Sequence, residues 1–213
     1  MRRLYDVTRP VREGMPVWPG DAPCRLEWTA RREHGASANV SALCLSAHTG
    51  THVDGPFHVC DDGARVGAVP LDAFLGPARL VDVRGAAVLG DALVAALLDA
   101  GACERLLFRT GCWRQADRFP EVFPALTRAA AERLAAAGVR LVGTDAPSVD
   151  PFASVALPAH AVLCGAGVAI IENLWLDEPP PGDYELIALP LRLEEADASP
   201  LRAVLHTLPA SAP

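Results

Sequence analysis

The densest group of chemically active side chains in this sequence is the run His48-Thr49-Gly50-Thr51-His52-Val53-Asp54-Gly55-Pro56-Phe57-His58. It holds three of the six histidines in the chain, together with an aspartate. Its two threonines, two glycines and proline disfavour a helix, so the run predicts an extended segment that leads into a turn. Alternate side chains of an extended segment share a face, which would place His48, His52 and Asp54 on the same side. Gly50, lying between them, would leave open space on that face.

The Gly55-Pro56 pair should break the extended segment and swing His58 back toward the same space. Taken singly, each of these residues has an ordinary role, because a histidine is often only hydrogen-bonded and an aspartate before Gly-Pro often forms a turn. Several such side chains facing inward are costly to bury unless something satisfies their polar atoms. Two imidazoles and a carboxylate around a gap suit zinc or a similar divalent ion. We therefore predict a metal site, with His58 as a nearby proton shuttle.

Length and composition predict one globular domain that acts on a small molecule. The 213 residues, 51% of them hydrophobic, suffice for a single domain with a substantial core, expected to span residues 1–213. A net charge of −7 without a basic run makes nucleic acids and anionic membranes unexpected partners. The N-terminal segment lacks the apolar stretch of a signal peptide, and no apolar run reaches the roughly 18 residues of a membrane span. We therefore expect a cytoplasmic location.

The six cysteines lie at positions 24, 44, 60, 103, 112 and 164, with no pair in a C-x-x-C spacing. Cys44 and Cys164 lie in apolar runs and predict reduced thiols in the core of a cytosolic protein. Cys60, two residues beyond His58, has no neighbour that would activate it, so we interpret it as a bystander. The alternative, a cysteine nucleophile at Cys60, predicts that thiol alkylation abolishes activity and that chelators do not.

The pattern of apolar residues changes along the chain and predicts an α/β fold. Strands are expected first, and then strands alternate with helices, which indicates crossovers onto a shared sheet. The predicted strands are 4–7, 24–32, 38–47, 80–83, 105–110, 139–143, 168–171, 185–193 and 201–208, with the second and third forming a hairpin. The predicted helices are 90–100, 123–137 and 158–164.

Other candidate residues lie far from the histidine run. His160 falls near the start of a predicted helix, and Glu172 directly follows an apolar strand, where a carboxylate needs a partner. Spacing alone cannot bring them to the run, but with them the chain would offer five ligands for two divalent ions about 3.5–4 Å apart. Such a pair lowers the pKa of bound water to roughly 7 and polarises a carbonyl, which points to hydrolysis of a small carbonyl substrate. Asp145 and Asp150, in a loop at a strand end, are interpreted as capping or turn residues.

The eleven-residue run resembles the signature of the cyclase-like metal hydrolases, and the likeness extends over nearly the whole chain. Within this family the chain is most similar to the bacterial arylformamidases, or kynurenine formamidases. Outside the run, the likeness includes Trp18-Pro19-Gly20-Asp21, Phe108-Arg109-Thr110-Gly111, Gly143-Thr144-Asp145-Ala146-Pro147-Ser148-Val149-Asp150 and Ile171-Glu172-Asn173-Leu174.

The resemblance implies an α/β single domain with a β-rich, barrel-like core and flanking helices, assembled as a homodimer. It implies that His48, His52 and Asp54 bind one zinc ion. Asp54 and Glu172 would bridge to a second zinc ion, which His160 would also bind. His58 would be the general acid and base, and Trp18 would line the substrate pocket. All seven positions match the family pattern.

The implied reaction is hydrolysis of N-formyl-L-kynurenine to L-kynurenine and formate, a step of tryptophan breakdown, by metal-activated hydroxide attack on the formyl carbonyl. Arg109 is a possible partner for the substrate carboxylate, or else a surface residue at a strand end. One alternative is another small amide or lactam hydrolase of the same family, similar to isatin hydrolase. A second is a non-catalytic protein with a bound metal, although structural zinc usually has four protein ligands, often cysteine.

Overall fold

The computed structural model describes residues 3–113 and 117–208. Within these residues the chain forms three α-helices and eleven strands, nine of which make one curled sheet in the order β1-β11-β9-β5-β6-β7-β8-β4-β10. The expectation of an α/β fold with a β-rich, barrel-like core and flanking helices is confirmed. The strands are β1 (Leu4–Asp6), β2 (Arg25–Ala30), β3 (Val40–Cys44), β4 (His52–Asp54), β5 (Leu75–Asp82), β6 (Arg105–Arg109), β7 (Leu141–Thr144), β8 (Ala169–Glu172), β9 (Gly182–Ile187), β10 (Ala198–Pro200) and β11 (Val204–Thr207).

The middle of the sheet is parallel and is built by three helical crossovers. Helix α1 (Asp91–Asp99) joins β5 to β6, α2 (Arg128–Ala136) joins β6 to β7, and α3 (Pro158–Gly165) joins β7 to β8. Consecutive side chains of β6 face opposite sides, so Leu106 packs in the core under the helices and Leu107 packs in the core on the other face. The predicted alternation of helices and strands is confirmed. No helix in the described part of the chain is long and apolar enough to cross a membrane.

Strand β4 lies between β8 and β10 and pairs antiparallel with both. Its register places His52 opposite Glu172 of β8. Directly opposed residues of antiparallel strands project from the same face with their Cβ atoms about 4.5–5.5 Å apart. The sheet itself therefore joins a residue of the histidine run to one from the last quarter of the sequence.

Only part of the histidine run is extended, so the prediction for its first half is wrong. Strand β4 covers residues 52–54, whereas residues 48–51 form a turn in which Gly50 has a φ of +67°. A positive φ breaks the alternation of side chains, so the shared-face argument holds for His52 and Asp54 and fails for His48. Gly50 supplies this turn rather than an empty position on a strand.

The hairpin formed by β2 and β3 is confirmed, but it does not join the large sheet. Both of its faces are open: Leu26, Trp28, Val40 and Leu43 are 41–58% exposed. Cys44 is exposed as well, so the expectation that it is a core thiol is wrong, while Cys164 is buried as expected. An apolar run in a two-stranded hairpin with no layer packed on it cannot become core.

Several predicted elements differ in extent, and β5, for example, begins at Leu75 rather than at residue 80. Helix α2 begins at Arg128 rather than at residue 123, because Leu126 forms a β-bridge to Leu89 and the Thr127 hydroxyl then accepts a hydrogen bond from the Ala130 amide as the N-cap. Strand β9 ends at Ile187 rather than at residue 193, shortly before Pro190.

Candidate metal centre and substrate cavity

The five predicted metal ligands lie together, in two groups that share Asp54. Ligand atoms of His48, His52 and Asp54 lie within 4.8 Å of one another, and so do those of Asp54, His160 and Glu172. The Nε2 atom of His160 lies 3.4 Å from Asp54 Oδ2 and 3.3 Å from Glu172 Oε1. On the other side of the carboxylate, His48 Nδ1 lies 3.0 Å and His52 Nε2 lies 3.4 Å from Asp54 Oδ1.

The five ligands are delivered by four local structures. His52 and Asp54 project from one face of β4, Glu172 is the last residue of β8, and His160 lies in the first turn of α3. His48 comes from the turn before β4. Strands β4 and β8 and the start of α3 therefore meet at this point. Residues 48–54, His160 and Glu172 are far apart in the sequence and contribute to one cluster.

The cluster contains buried polar atoms that make no hydrogen bond within the described residues. Asp54 is 2% exposed, and neither of its oxygens has a hydrogen-bond partner among the described residues; His52 Nε2 is also unpartnered. A buried group in this state costs about 1–3 kcal/mol, and more when it is charged. Cations between the facing carboxylate and imidazole atoms would satisfy all of them at once. The donor set of imidazoles and carboxylates therefore fits a divalent metal.

Hydrogen bonds behind the ligands orient their free lone pairs toward the cluster. His52 Nδ1 lies 2.9 Å from the Gly50 carbonyl oxygen, which can only accept, so Nδ1 carries the proton and Nε2 is free to ligate. His160 Nδ1 lies 2.7 Å from Asp150 Oδ2, with the same consequence. The Val149 amide donates to Glu172 Oε1 at 2.8 Å. Such supporting contacts fix ring orientation and raise ligand basicity in metal sites.

The electrostatics of the cluster are dominated by Asp54. Burial would raise the pKa of this carboxyl, but the nearby imidazoles of His52, His160 and His48 hold it well below its usual range. Burial would lower the pKa of His48, but Asp197 and Asp54 raise it to about 10. The carboxylates therefore attract protons onto the imidazoles. A bound cation would take over the role of those protons, so metal binding should release them.

His58 lies beside the cluster, as the turn prediction placed it. Its ring centroid is 4.4 Å from that of His48 and 5.7 Å from that of His160. Its Nδ1 lies 3.2 Å from Asp197 Oδ2, and the same carboxylate oxygen lies 2.9 Å from His48 Nε2. Sequence reasoning missed Asp197, because the run Glu194-Glu195-Ala196-Asp197 has the composition of a solvated loop and the short strand after it has no apolar pattern.

Two further residues of the sequence analysis have clear positions. Asp150 is fully buried and accepts hydrogen bonds from the Ala159 and His160 amides at 3.0 and 2.9 Å, so the capping interpretation is confirmed, although the contact with the His160 ring was missed. Arg109 is buried and donates to Asp82 and to the carbonyls of residues 176 and 179. It does not line the cavity described below, so both earlier interpretations of Arg109 are wrong.

A cavity of about 260 Å³ opens above the cluster. His48, His52, His58, His160 and Glu172 line one part of it, and Trp18 lines another part with Trp113 and Phe119. The Trp18 ring packs against Phe119 and Phe152, with centroids 5.5 and 5.1 Å apart. Trp18 thus belongs to an aromatic wall, of which only Trp18 was singled out from the sequence. The cavity joins this aromatic wall to the cluster of candidate metal ligands.

The chain belongs to the cyclase family: a family model described as "Putative cyclase" matches residues 5–151. A relative from Salinibacter ruber named "Kynurenine formamidase" is 47% identical over 97% of this chain and 98% of its own length. A solved structure described as a potential metal-dependent hydrolase with cyclase activity is similar with a TM-score of 0.84 and 32% identity, covering 99% of this chain and 100% of that one. Isatin hydrolase A from Labrenzia aggregata has a TM-score of 0.83 and 27% identity, covering 97% and 94%.

Proposed function

We propose that this protein is a metal-dependent arylformamidase, which hydrolyses N-formyl-L-kynurenine to L-kynurenine and formate. The observation that carries the proposal is the buried Asp54 carboxylate, which accepts no hydrogen bond from the described residues and is surrounded by four other candidate ligand side chains beneath an aromatic cavity. The 47% identical relative, matched over nearly its whole length, supports the choice of substrate.

His48, His52 and Asp54 would hold one divalent ion, and Asp54, His160 and Glu172 would hold the other. Zinc suits this ligand set, and the family resemblance favours it. When bound, two such ions lower the pKa of a coordinated water to roughly 7 and polarise the formyl carbonyl. The protein's part is to fix the ligands, and the hydrogen bonds behind His52 and His160 do so by aiming one ring nitrogen of each at the cluster.

His58 is the residue placed to move the proton. Its Nδ1 faces the Asp197 carboxylate, which leaves Nε2 available. It would accept a proton from the water that attacks the formyl carbon and return it to the aromatic amine as the C–N bond breaks. The products are then a neutral arylamine and formic acid, which ionises to formate and releases a proton to solvent. General acid–base catalysis of this kind typically contributes about 10²–10⁴-fold to the rate.

Trp18 would pack against the aromatic ring of the substrate. The formyl group is the smallest acyl group, so its carbon can approach the ligand cluster while the ring remains on the aromatic wall. Tryptophan offers a large rigid surface for such a ring, and offset or edge contacts add to the effect of burial.

The proposal is tested with purified protein, first treated with a chelator and then supplied with zinc, manganese or cobalt. Formation of kynurenine from formylkynurenine should be lost on metal removal and restored by at least one metal. His58→Ala should keep the bound metal and the thermal stability but lose about 10²–10⁴-fold in kcat. Absence of metal from the wild-type protein would contradict the metal-site proposal. Loss of metal from His58→Ala would show that His58 is a ligand instead.

A lactam hydrolase is the second candidate function, because the fold is shared with isatin hydrolase A. Opening a cyclic amide and removing a formyl group need the same ligand cluster, so the cluster does not separate them. The two functions are separated by measuring the turnover of isatin and of formylkynurenine with the same preparation. A clearly higher kcat/KM for isatin would replace the formamidase proposal.

We further propose that the protein is a cytoplasmic homodimer. The open faces of the β2–β3 hairpin, with Leu26, Trp28, Val40 and Leu43 exposed, support a covering second copy. The six free cysteines fit a compartment that keeps thiols reduced. Sedimentation should give twice the chain mass for the wild type, and Trp28→Glu with Leu43→Glu should shift it toward the monomer. An unchanged mass for that variant would exclude the hairpin as the interface.

A further inference from the structure

The segment Trp18-Pro19-Gly20-Asp21 forms a tight turn at the edge of the cavity. The Asp21 amide donates to the Trp18 carbonyl oxygen at 3.0 Å, and Gly20 has a φ of +101°. Proline at the second position and a positive φ at the third are the features of a type II turn. Such a turn brings its first and fourth residues within about 7 Å of each other. The backbones of Trp18 and Asp21 are therefore held close together.

Both ends of this turn line the cavity. Among the described lining residues, Asp21 is the sole carboxylate other than the metal-ligand candidate Glu172, and none of them is lysine or arginine. A ligand group that meets Asp21 should therefore be a cation. The cavity offers this carboxylate next to the aromatic wall.

The Asp21 side chain is positioned by one hydrogen bond. The Ser46 hydroxyl donates to Asp21 Oδ2 at 2.8 Å, and the same Ser46 oxygen accepts from the His48 amide at 3.2 Å. The carboxylate is thus tied to the turn that carries a metal-ligand candidate. Its other oxygen, Oδ1, makes no hydrogen bond or ion pair within the described residues. That oxygen remains available to a ligand.

We propose that Asp21 binds the α-ammonium group of the substrate while Trp18 holds its aromatic ring. This inference rests on the proposed function, because it takes formylkynurenine as the substrate. In that molecule a short chain attached to the aryl ring carries a positively charged amino group. A carboxylate and an ammonium form a charge-assisted hydrogen bond, which is stronger than a neutral one. The same turn would then set both the distance and the direction of the amino-acid end from the formyl carbon.

The test compares two substrates: formylkynurenine and 4-(2-formamidophenyl)-4-oxobutanoate, which lacks only the α-amino group. Asp21→Asn should raise KM for formylkynurenine by about tenfold, with a small change in kcat, because a charge-assisted contact made in the ground state is lost. The KM for the des-amino compound should rise much less. Asp21→Glu should recover part of the loss. Asp99→Asn, on the exposed end of α1, is the control for an equal change of charge far from the cavity.

The outcomes separate this inference from the proposed function. Equal losses on both substrates would overturn the ammonium contact and make Asp21 a structural residue of the turn. A wild-type protein that cleaves both substrates with the same kcat/KM would also overturn it, while leaving the formamidase proposal intact. A wild-type protein that cleaves neither substrate would overturn the proposed function, and the inference would fall with it. Thermal unfolding of each variant shows whether a loss comes from misfolding instead.

Discussion

Replacing Asp150 with asparagine would show whether the carboxylate behind His160 prepares that imidazole as a ligand. Asp150 accepts three hydrogen bonds inside the protein: one oxygen serves the Ala159 amide, and the other serves the amide and the ring Nδ1 of His160. Asparagine has the same shape but a single acceptor oxygen. Whichever way its amide is turned, an NH2 group faces at least one of these N–H donors.

The magnitude follows from those contacts. An unsatisfied buried donor costs about 1–3 kcal/mol, so the metal-free variant should lose about that much free energy of unfolding. The His160 ring also loses its charged partner, and changes of this kind weaken metal binding by about 10–100-fold. Urea denaturation in the presence of a chelator measures the first effect. Competition with a chromophoric chelator measures the second.

Asp145→Asn provides the matched control. Asp145 is another buried carboxylate with three donors, the amide and hydroxyl of Thr110 and the amide of Gly111, but it contacts none of the five ligands. The Asp145→Asn variant should lose stability without losing metal affinity. Wild-type metal affinity in Asp150→Asn, or an equal loss of affinity in both variants, would refute the reasoning.

Three further outcomes are expected. Iodoacetamide at pH 8 should react with the exposed Cys44 and Cys60 but spare the activity that a chelator removes, because neither of these cysteines lines the cavity. Burial raises the pKa of Cys112 to about 11 and that of Cys164 to about 12, which keeps both thiols protonated. Loss of activity on alkylation alone would favour a thiol mechanism. Gly143→Ala should lose about 1–3 kcal/mol of stability in urea, because its Cβ would lie 2.4 Å from a leucine methyl carbon. Gly165→Ala, which meets nothing within 4 Å, is its control and should not be destabilised. Trp18→Ala should raise KM for formylkynurenine by about tenfold, whereas Trp18→Phe should retain most of the affinity, and equal KM values would remove Trp18 from the pocket.

Local patterns in the sequence predicted local structure well. The two-residue period correctly placed His52 and Asp54 on one face of a strand, and the alternation of apolar strands and helices predicted the parallel crossovers. The same period gave the wrong structure for His48, because it cannot show that Gly50 takes a left-handed conformation. The residue still reaches the cluster, but through a turn.

Long-range pairing could not be predicted from the residues alone. Spacing gives no sign that Glu172 pairs with His52 across two strands, and only the family resemblance placed Glu172 and His160 in the site. Asp197 was missed because its acidic neighbours in the sequence indicate a surface loop. Its role depends on contacts with His48 and His58, which exist only after β10 has paired with β4.

The position of β4 in the sheet has a consequence for biosynthesis. This strand is synthesised well before both of its neighbours, β8 and β10, which come from residues 169–200. The nascent polypeptide therefore carries His52 and Asp54 without a neighbouring strand to pair with until residues 169–200 have been made. Metal binding at the proposed site should therefore follow the pairing of β4 with β8 and β10, and its binding free energy would then stabilise the folded chain.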